Sequence, residues 1–324
     1  MTHLSEAQVA QFETEGYLAV ENLFDPEADL DPIIREYEGV LDSLVRELYG
    51  QGRISSTYDK LPFGKRLTRI YADSGEAHTQ YFDFSLPQKG VTLDTPIWVG
   101  PAVFNTLRNE KLLDAVESLI GPEIYANPVQ HVRLKPPEHL IPDAGKIGQV
   151  YSGKTPWHQD NAVVLPEADE TNTLTVWFPL LDATIENGCL EVVPYSHRDG
   201  LLQHCPGGPA GLYIPDQLFR REEAIPVPLK RGGALFMHRR TCHASLSNIS
   251  ANIRWSFDLR YNPIGQPTGR DVFPGFVARS RSNPDRELHD ANTWAEMWYE
   301  ARRRLAREND PAHNRWNTLA PVCA

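Results

Sequence analysis

From about residue 123 the hydrophobic period of this chain changes from that of a helix to two, and it holds that period through residue 262. Candidate strands at 128–134, 155–161, 173–180, 189–193, 224–229, 233–238 and 253–261 are separated by Gly, Pro and Asn clusters. Short strands punctuated in this way predict an all-β sandwich or barrel core. No glycine-rich phosphate loop or dinucleotide fingerprint stands between a strand and a helix.

The strand 253–261 carries the most information. Ile253, Trp255, Phe257, Leu259 and Tyr261 alternate with Arg254, Ser256, Asp258 and Arg260, so the two sets face opposite ways. A polar face is ordinarily solvated. If Arg254 enters a ligand cavity, that face lines the interior instead, and Ser256, Asp258 and Arg260 become pocket candidates.

Upstream, the pattern is helical. Ser5-x-x-Gln8 is a capping box opening a short helix, with Val9 and Phe12 inward and Gly16 as its stop. Tyr17–Val20 reads as a strand, 29–49 as an amphipathic helix and 107–120 as another. Residues 51–105 are rich in turns and aromatics without a sustained period. In the tail, 291–308 is amphipathic, and its Arg302-Arg303-Arg304 run reads as a solvated face.

Within the β region, His158-Gln159-Asp160 is followed far downstream by His243 and then Arg254. Two imidazoles and one carboxylate make a three-ligand face that leaves half an octahedral ion open, an arrangement suited to non-haem Fe(II). On an extended strand, His158 and Asp160 project from one face. Arg254 adds a planar, permanently charged fork for a carboxylate. A second H-x-D, His197-Arg198-Asp199, lies between Pro194-Tyr195-Ser196 and Gly200 and reads as a turn, not a ligand pair. His238 reads as a structural histidine or one that supports a ligand, and Cys242 as packing.

Gly232-Gly233-Ala234-Leu235-Phe236-Met237-His238, then His243-Ala244-Ser245, Asn248, Ser250 and Arg254, resembles the distal motif of the phytanoyl-CoA dioxygenase family. Trp157-His158-Gln159-Asp160, Trp177, Glu186-Asn187-Gly188-Cys189-Leu190, Pro194-Tyr195-Ser196-His197 and Lys135-Pro136-Pro137 are similar to its proximal stretch. The resemblance covers roughly residues 125–262. It implies a double-stranded β-helix (jelly-roll, cupin-like) core, mainly β with flanking helices. It also implies iron ligands His158, Asp160 and His243, with Arg254 and Ser245 at the distal carboxylate of 2-oxoglutarate and Trp177 nearby. His131 and Lys135 are implied near the cosubstrate's other end. Related halogenases carry Gly or Ala at the carboxylate position; Asp160 argues against halogenation.

The expected activity is a dioxygenase using Fe(II), 2-oxoglutarate and O₂, with ascorbate as a supporting reductant, that hydroxylates a small molecule and releases succinate and CO₂. The expected organisation is a single oxygenase domain over 1–324. It comprises a helical part with a candidate lid at 1–122, a jelly-roll core at 123–262 and a C-terminal extension with a helix at 263–324. The alternatives are a zinc-dependent hydrolase on the same triad and a non-catalytic jelly-roll binding module. Neither gives Arg254 and Ser245 a role as specific.

Charge and composition narrow the partners. The net charge of −11 sits mostly in residues 1–50, where twelve acids face only Arg35 and Arg46. No domain-wide basic field exists to neutralise nucleic-acid phosphates. Residues 51–70 reverse the sign, with Arg53, Lys60, Lys65, Arg66 and Arg69 against Asp59. They are read either as a solvated loop or as a lid that attracts an anionic substrate. No apolar run approaches the ~18 residues of a spanning helix. Met1–Glu6 shows no secretory leader, and the four scattered cysteines show no C-x-x-C pair or disulfide-dense pattern. A cytoplasmic location is the expectation. Oligomeric state and substrate identity leave no signature in the sequence.

Overall fold

The computed structural model of the chain describes residues 3–140, 155–208, 211–308 and 315–323. It opens with α1 (Glu6–Glu15), where Ser5 and Gln8 form the reciprocal capping box and Gly16, at φ 81°, ends the helix. β1 (Tyr17–Val20), α2 (Asp31–Gly50), α3 (Phe63–Ser74), α4 (Pro101–Leu107) and α5 (Glu110–Ile120) follow. The β region contains β2 (Glu123–Lys135), β3 (Leu174–Pro179), β4 (Leu190–Val192), β5 (Cys205–Gly208) and β6 (Gly211–Tyr213). It continues with β7 (Ile225–Val227), β8 (Ala234–His238), β9 (His243–Ser245), β10 (Arg254–Pro263) and β11 (Phe276–Ser280), and α6 (Ala291–Leu305) closes the order.

All strand pairs are antiparallel. Six strands form one sheet in the order β1-β8-β3-β10-β2-β11, and three form a second, β7-β4-β9. The β5-β6 hairpin stands apart. This two-sheet arrangement is the double-stranded β-helix, with helices packed outside it. Non-consecutive neighbours such as β3 and β10 are brought together by register, not by sequence proximity, with Ser256 opposite Pro179 and Asp258 opposite Trp177.

Side-chain alternation divides the large sheet cleanly. Trp255, Phe257, Leu259 and Tyr261 join Leu174, Val176 and Phe178 in the main core, beneath α2, α5 and α6. Trp177, Leu235 and Met237 point the other way and pack on Leu190, Val192 and Val227 of the small sheet. The polar partners on β10 therefore face inward, between the sheets, where a cavity opens. Gly188 shows how tightly the small sheet is built. Its φ is 89°, and a Cβ there would meet the Leu246 carbonyl oxygen at 2.6 Å.

Several expectations give way to other geometry. The stretch 155–161 forms no strand beyond a single bridge at His158 and passes into a 3-10 turn at Asp160–Val163. The expected helix at 107–120 is α5 but begins at Glu110, because Leu107 ends α4 and Asn109 caps α5 by accepting from the Leu112 N–H. Within 51–105, α3 buries Leu67, Ile70 and Tyr71 along one face and stops at Gly75, φ 72°. That period is only one stripe wide, and basic residues interrupt it. Strands β5, β6, β9 and β11 are too short or too Gly-rich to register as alternation.

In the basic stretch, read as a solvated loop or a lid, three of the five cations have polar protein partners. Arg66 pairs with Asp42 and Asp59, Arg53 with Glu76, and Lys65 donates to the Ala251 carbonyl. Cysteine chemistry is also richer than expected. Cys205 and Cys323 are disulfide-bonded across 118 residues, while Cys189 and Cys242 are free and buried. Arg302 and Arg304 donate to the carbonyls of Thr95 and Val272, so only part of that run is a solvated face. Among the described residues no helix is long and apolar enough to cross a membrane.

Candidate metal and cosubstrate site

His158 and His243 are joined by the backbone itself. Each residue's N–H donates to the other's carbonyl at 3.0 Å, so two residues far apart in sequence lie directly opposite one another. Their rings are 4.2 Å apart, centroid to centroid. Gln159 keeps an extended backbone (φ −115°, ψ 139°). The side chains of His158 and Asp160 therefore still emerge on one side, although no strand spans them.

The orienting groups fix each histidine's tautomer. His158 Nδ1 lies 2.9 Å from the Pro156 carbonyl and His243 Nδ1 lies 3.0 Å from that of Thr241. A carbonyl only accepts, so both Nδ1 atoms carry a proton, and Nε2 is the nitrogen of each ring that can offer a lone pair. Those Nε2 atoms sit 3.9 and 4.0 Å from the two oxygens of Asp160. One ligand atom from each of the three residues falls within a 4.8 Å cluster. This is within the reach of one ion about 2 Å from each ligand.

Charge favours the same reading. Burial, followed by the His243 charge, pushes His158 down to about 3, so its contact with Asp160 is not an ion pair but a neutral imidazole beside a carboxylate. Burial alone would raise Asp160. Arg260, then His243 and His158, outweigh burial and hold the carboxyl well below its usual range. A neutral His158 and an ionised Asp160, with the Nε2 of His243 turned toward the same carboxylate, make a donor set that a divalent first-row metal binds.

The ligands open into a cavity of about 550 Å³ whose wall includes His131, Arg133, Trp177, Arg254, Asp258 and Arg270. Arg254 is 1% exposed, and its Nε has no hydrogen-bond partner. One Nη donates to Ser256, and the guanidinium lies 5.5 Å from the Trp177 ring centroid. Among the described residues no carboxylate lies within ion-pair distance of it. Burial, then Arg133, pushes Arg254 down to about 9. A buried cation left this way is costly unless a ligand supplies the anion.

Ser245 is fully buried beside His243 and Ala244 and is not itself among the residues lining the cavity. Its Oγ accepts from the Thr155 N–H at 2.8 Å and from the Lys135 ammonium, which fills both acceptor positions and leaves the hydroxyl proton to donate. Lys135 also donates to Thr155 Oγ1 at 3.1 Å and stands opposite Arg254 in the β2–β10 register. His131 reaches the cavity with its Nδ1 held 2.8 Å from Asp83 Oδ2. Asn248 is structural, since its Nδ2 donates to the Lys135 and Asn252 carbonyls and so locks the turn before β10.

The two rejected histidines lie together, away from the triad. His197 and His238 have ring centroids 5.2 Å apart, and His197 Nε2 contacts the Glu13 carbonyl. Sequence reasoning missed Thr175, which donates to Asp160, and the Asp83 that orients His131. Thr175 could have been found from its place on β3, two before Trp177. Asp83 lies in an irregular segment with no such signal. None of the five basic residues of 51–70 lines the cavity.

Comparison with known proteins agrees with this geometry. The sequence profile of the phytanoyl-CoA dioxygenase family matches residues 12–256. The zebrafish (Danio rerio) phytanoyl-CoA dioxygenase domain-containing protein 1 is 27% identical over 77% of this chain and 87% of its own. A Streptomyces arenae protein named 1-deoxypentalenic acid 11-beta-hydroxylase is 34% identical over a shorter region, 36% of this chain and 43% of its own. Among solved structures, the non-haem monooxygenase ThoJ superposes with a TM-score of 0.58 at 19% identity, covering 93% of this chain and 97% of its own. At those identities the structural likeness speaks for the fold.

Proposed function

Because the chain belongs to the phytanoyl-CoA dioxygenase family, we propose that it is an Fe(II)- and 2-oxoglutarate-dependent dioxygenase that hydroxylates a C–H bond of a small molecule. The observation that carries the proposal is the pairing of a His158–Asp160–His243 cluster with a buried Arg254 that lacks a carboxylate partner among the described residues, in one cavity. Iron and 2-oxoglutarate, when bound, supply the oxidising chemistry: with O₂, the keto acid is converted to succinate and CO₂.

The chain's own residues hold and orient. His158, Asp160 and His243 are the ligands, and their carbonyl-bound Nδ1–H groups keep both Nε2 atoms available. Arg254 pairs with the distal carboxylate of the cosubstrate through its planar fork, and Ser245 donates its remaining proton there. Lys135 acts through Ser245 by holding its oxygen, while Trp177 flanks the guanidinium. His131, fixed by Asp83, also lines the cavity. The hydroxylation reading draws on the Streptomyces relative, whose name describes such a reaction on a small acid.

Incubation with Fe(II), ascorbate and 2-oxoglutarate in air tests the proposal. Succinate should form, and Zn(II) in place of Fe(II) should abolish it, because zinc has no redox chemistry. Hydrolysis of an ester or amide supported by Zn(II) without O₂ would favour the hydrolase. Metal binding with neither reaction would favour a binding module.

A further inference from the structure

We propose that Arg260 is the positioning residue of the metal site, clamping the Asp160 carboxylate in the plane it needs as a ligand. The proposal rests on the reading of His158, Asp160 and His243 as ligands. Arg260 is 4% exposed and lies six residues beyond Arg254 on β10, so the two-residue period puts both arginines on the cavity face. Its roles differ from those of Arg254. One Nη is fixed on the Val129 carbonyl at 2.8 Å, and the other donates to Asp160 Oδ1.

Thr175 on the neighbouring strand donates to the second oxygen, Oδ2. Each oxygen of Asp160 thus keeps one hydrogen bond from the protein. Its remaining lone pairs face His158 and His243, whose Nε2 atoms lie 3.9 and 4.0 Å away. Rotation of the carboxylate would break one or both of these bonds. The ligand is therefore held before any ion arrives. One strand delivers the cosubstrate's anchor at Arg254 and the ligand's clamp at Arg260.

Two effects of removing Arg260 oppose each other. Loss of a cation makes the site more attractive to a metal, whereas loss of the clamp frees the ligand. Asp258 Oδ2 stands 3.6 Å from the same Nη and already offsets the arginine's charge as seen from the ion. Orientation therefore decides the sign. Partners of this kind typically hold 10–100-fold of metal affinity.

Anaerobic Fe(II) titration against a chromophoric chelator, run on the parent, Arg260→Gln, Arg260→Lys and Thr175→Val, tests the clamp. Arg260→Gln should weaken Fe(II) about 10–100-fold. Arg260→Lys should recover part of the loss, since an ammonium keeps the charge but cannot grip Val129 and Asp160 at once. Thr175→Val should weaken Fe(II) less, in the same direction. The Fe(II)–2-oxoglutarate absorption band should shift in the arginine variants, which a merely structural role would not cause. Parent-like affinity and band in Arg260→Gln, with unchanged melting of the metal-free protein, would overturn the proposal. If Arg260→Gln does not fold, parent-like behaviour of both Arg260→Lys and Thr175→Val would overturn it equally. A parent that binds no Fe(II) would overturn the ligand assignment beneath it.

Discussion

Arg254 and Trp177 meet inside the cavity, with the guanidinium carbon 5.5 Å from the ring centroid, on neighbouring antiparallel strands. The aromatic face partly offsets the cost of burying the cation, but it cannot form the parallel N–H···O pair that a carboxylate forms. Arg254→Ala should therefore weaken 2-oxoglutarate by at least tenfold, in line with the ~2–5 kcal/mol lost when one partner of a buried charge pair is removed. Arg254→Lys should restore only part of this. Ser245→Ala should cost about 1 kcal/mol. Calorimetric titration of 2-oxoglutarate into metal-loaded protein reads all three.

Replacing His158, Asp160 or His243 with Ala should each abolish Fe(II) binding at stoichiometric concentrations. His197→Ala and His238→Ala should leave it intact, because those rings face each other and not the triad. Full iron occupancy in His243→Ala, measured by metal analysis after desalting, would show that the wrong histidine has been chosen.

The apo protein should lose stability as pH falls below about 6.5. Burial, then Arg239, His197 and Arg240, pushes His238 down to about 3. Burial also pushes His204 down to about 4. The folded protein refuses protons that the unfolded chain accepts near pH 6.5. Stability is therefore full above that value and falls progressively toward pH 3, by up to about 1.4 kcal/mol per pH unit for each such histidine. His238→Asn keeps an acceptor for the Arg240 N–H, which His238 Nδ1 receives at 3.1 Å. That variant should show a shallower fall in Tm between pH 7 and 5; an identical slope would assign the effect elsewhere.

Arg66 should be a stability residue rather than a substrate contact. It joins α2 to the segment before α3 through Asp42, Asp59 at 2.6 Å and the Thr57 carbonyl at 2.9 Å. Arg66→Ala should lower unfolding free energy by about 1–3 kcal/mol, with the carboxylates' exposure favouring the low end. The affinity for 2-oxoglutarate should not change. A raised substrate KM with unchanged Tm would favour the lid.

The sequence carried more of the site than of its supports. Strict alternation along β10 is visible in the residues themselves, because burial on both faces selects apolar side chains at one parity and functional ones at the other. Arg254 was legible for that reason, whereas His158, Asp160 and His243 stood out through the H-x-D pattern and the motif downstream, and the structure brings the three together. Asp83 was not, since it lies in an irregular segment, and Thr175 could be placed on β3 but not beside Asp160 until distant parts of the chain are brought together. The Cys205–Cys323 bridge was hidden for the same reason: its 118-residue separation leaves no local pattern. Helix α3 was missed because its apolar stripe is narrow and its exposed face is basic.

The central claim is that one cavity holds a metal on His158, Asp160 and His243 and 2-oxoglutarate on Arg254. An anaerobic titration of the Fe(II)-loaded protein with 2-oxoglutarate, followed in the visible, tests both halves at once. The claim requires a weak charge-transfer band that saturates at one 2-oxoglutarate per chain, is absent from Asp160→Ala and needs at least tenfold more cosubstrate in Arg254→Ala. No band from iron-loaded parent protein, or an undiminished band from Asp160→Ala, would contradict it.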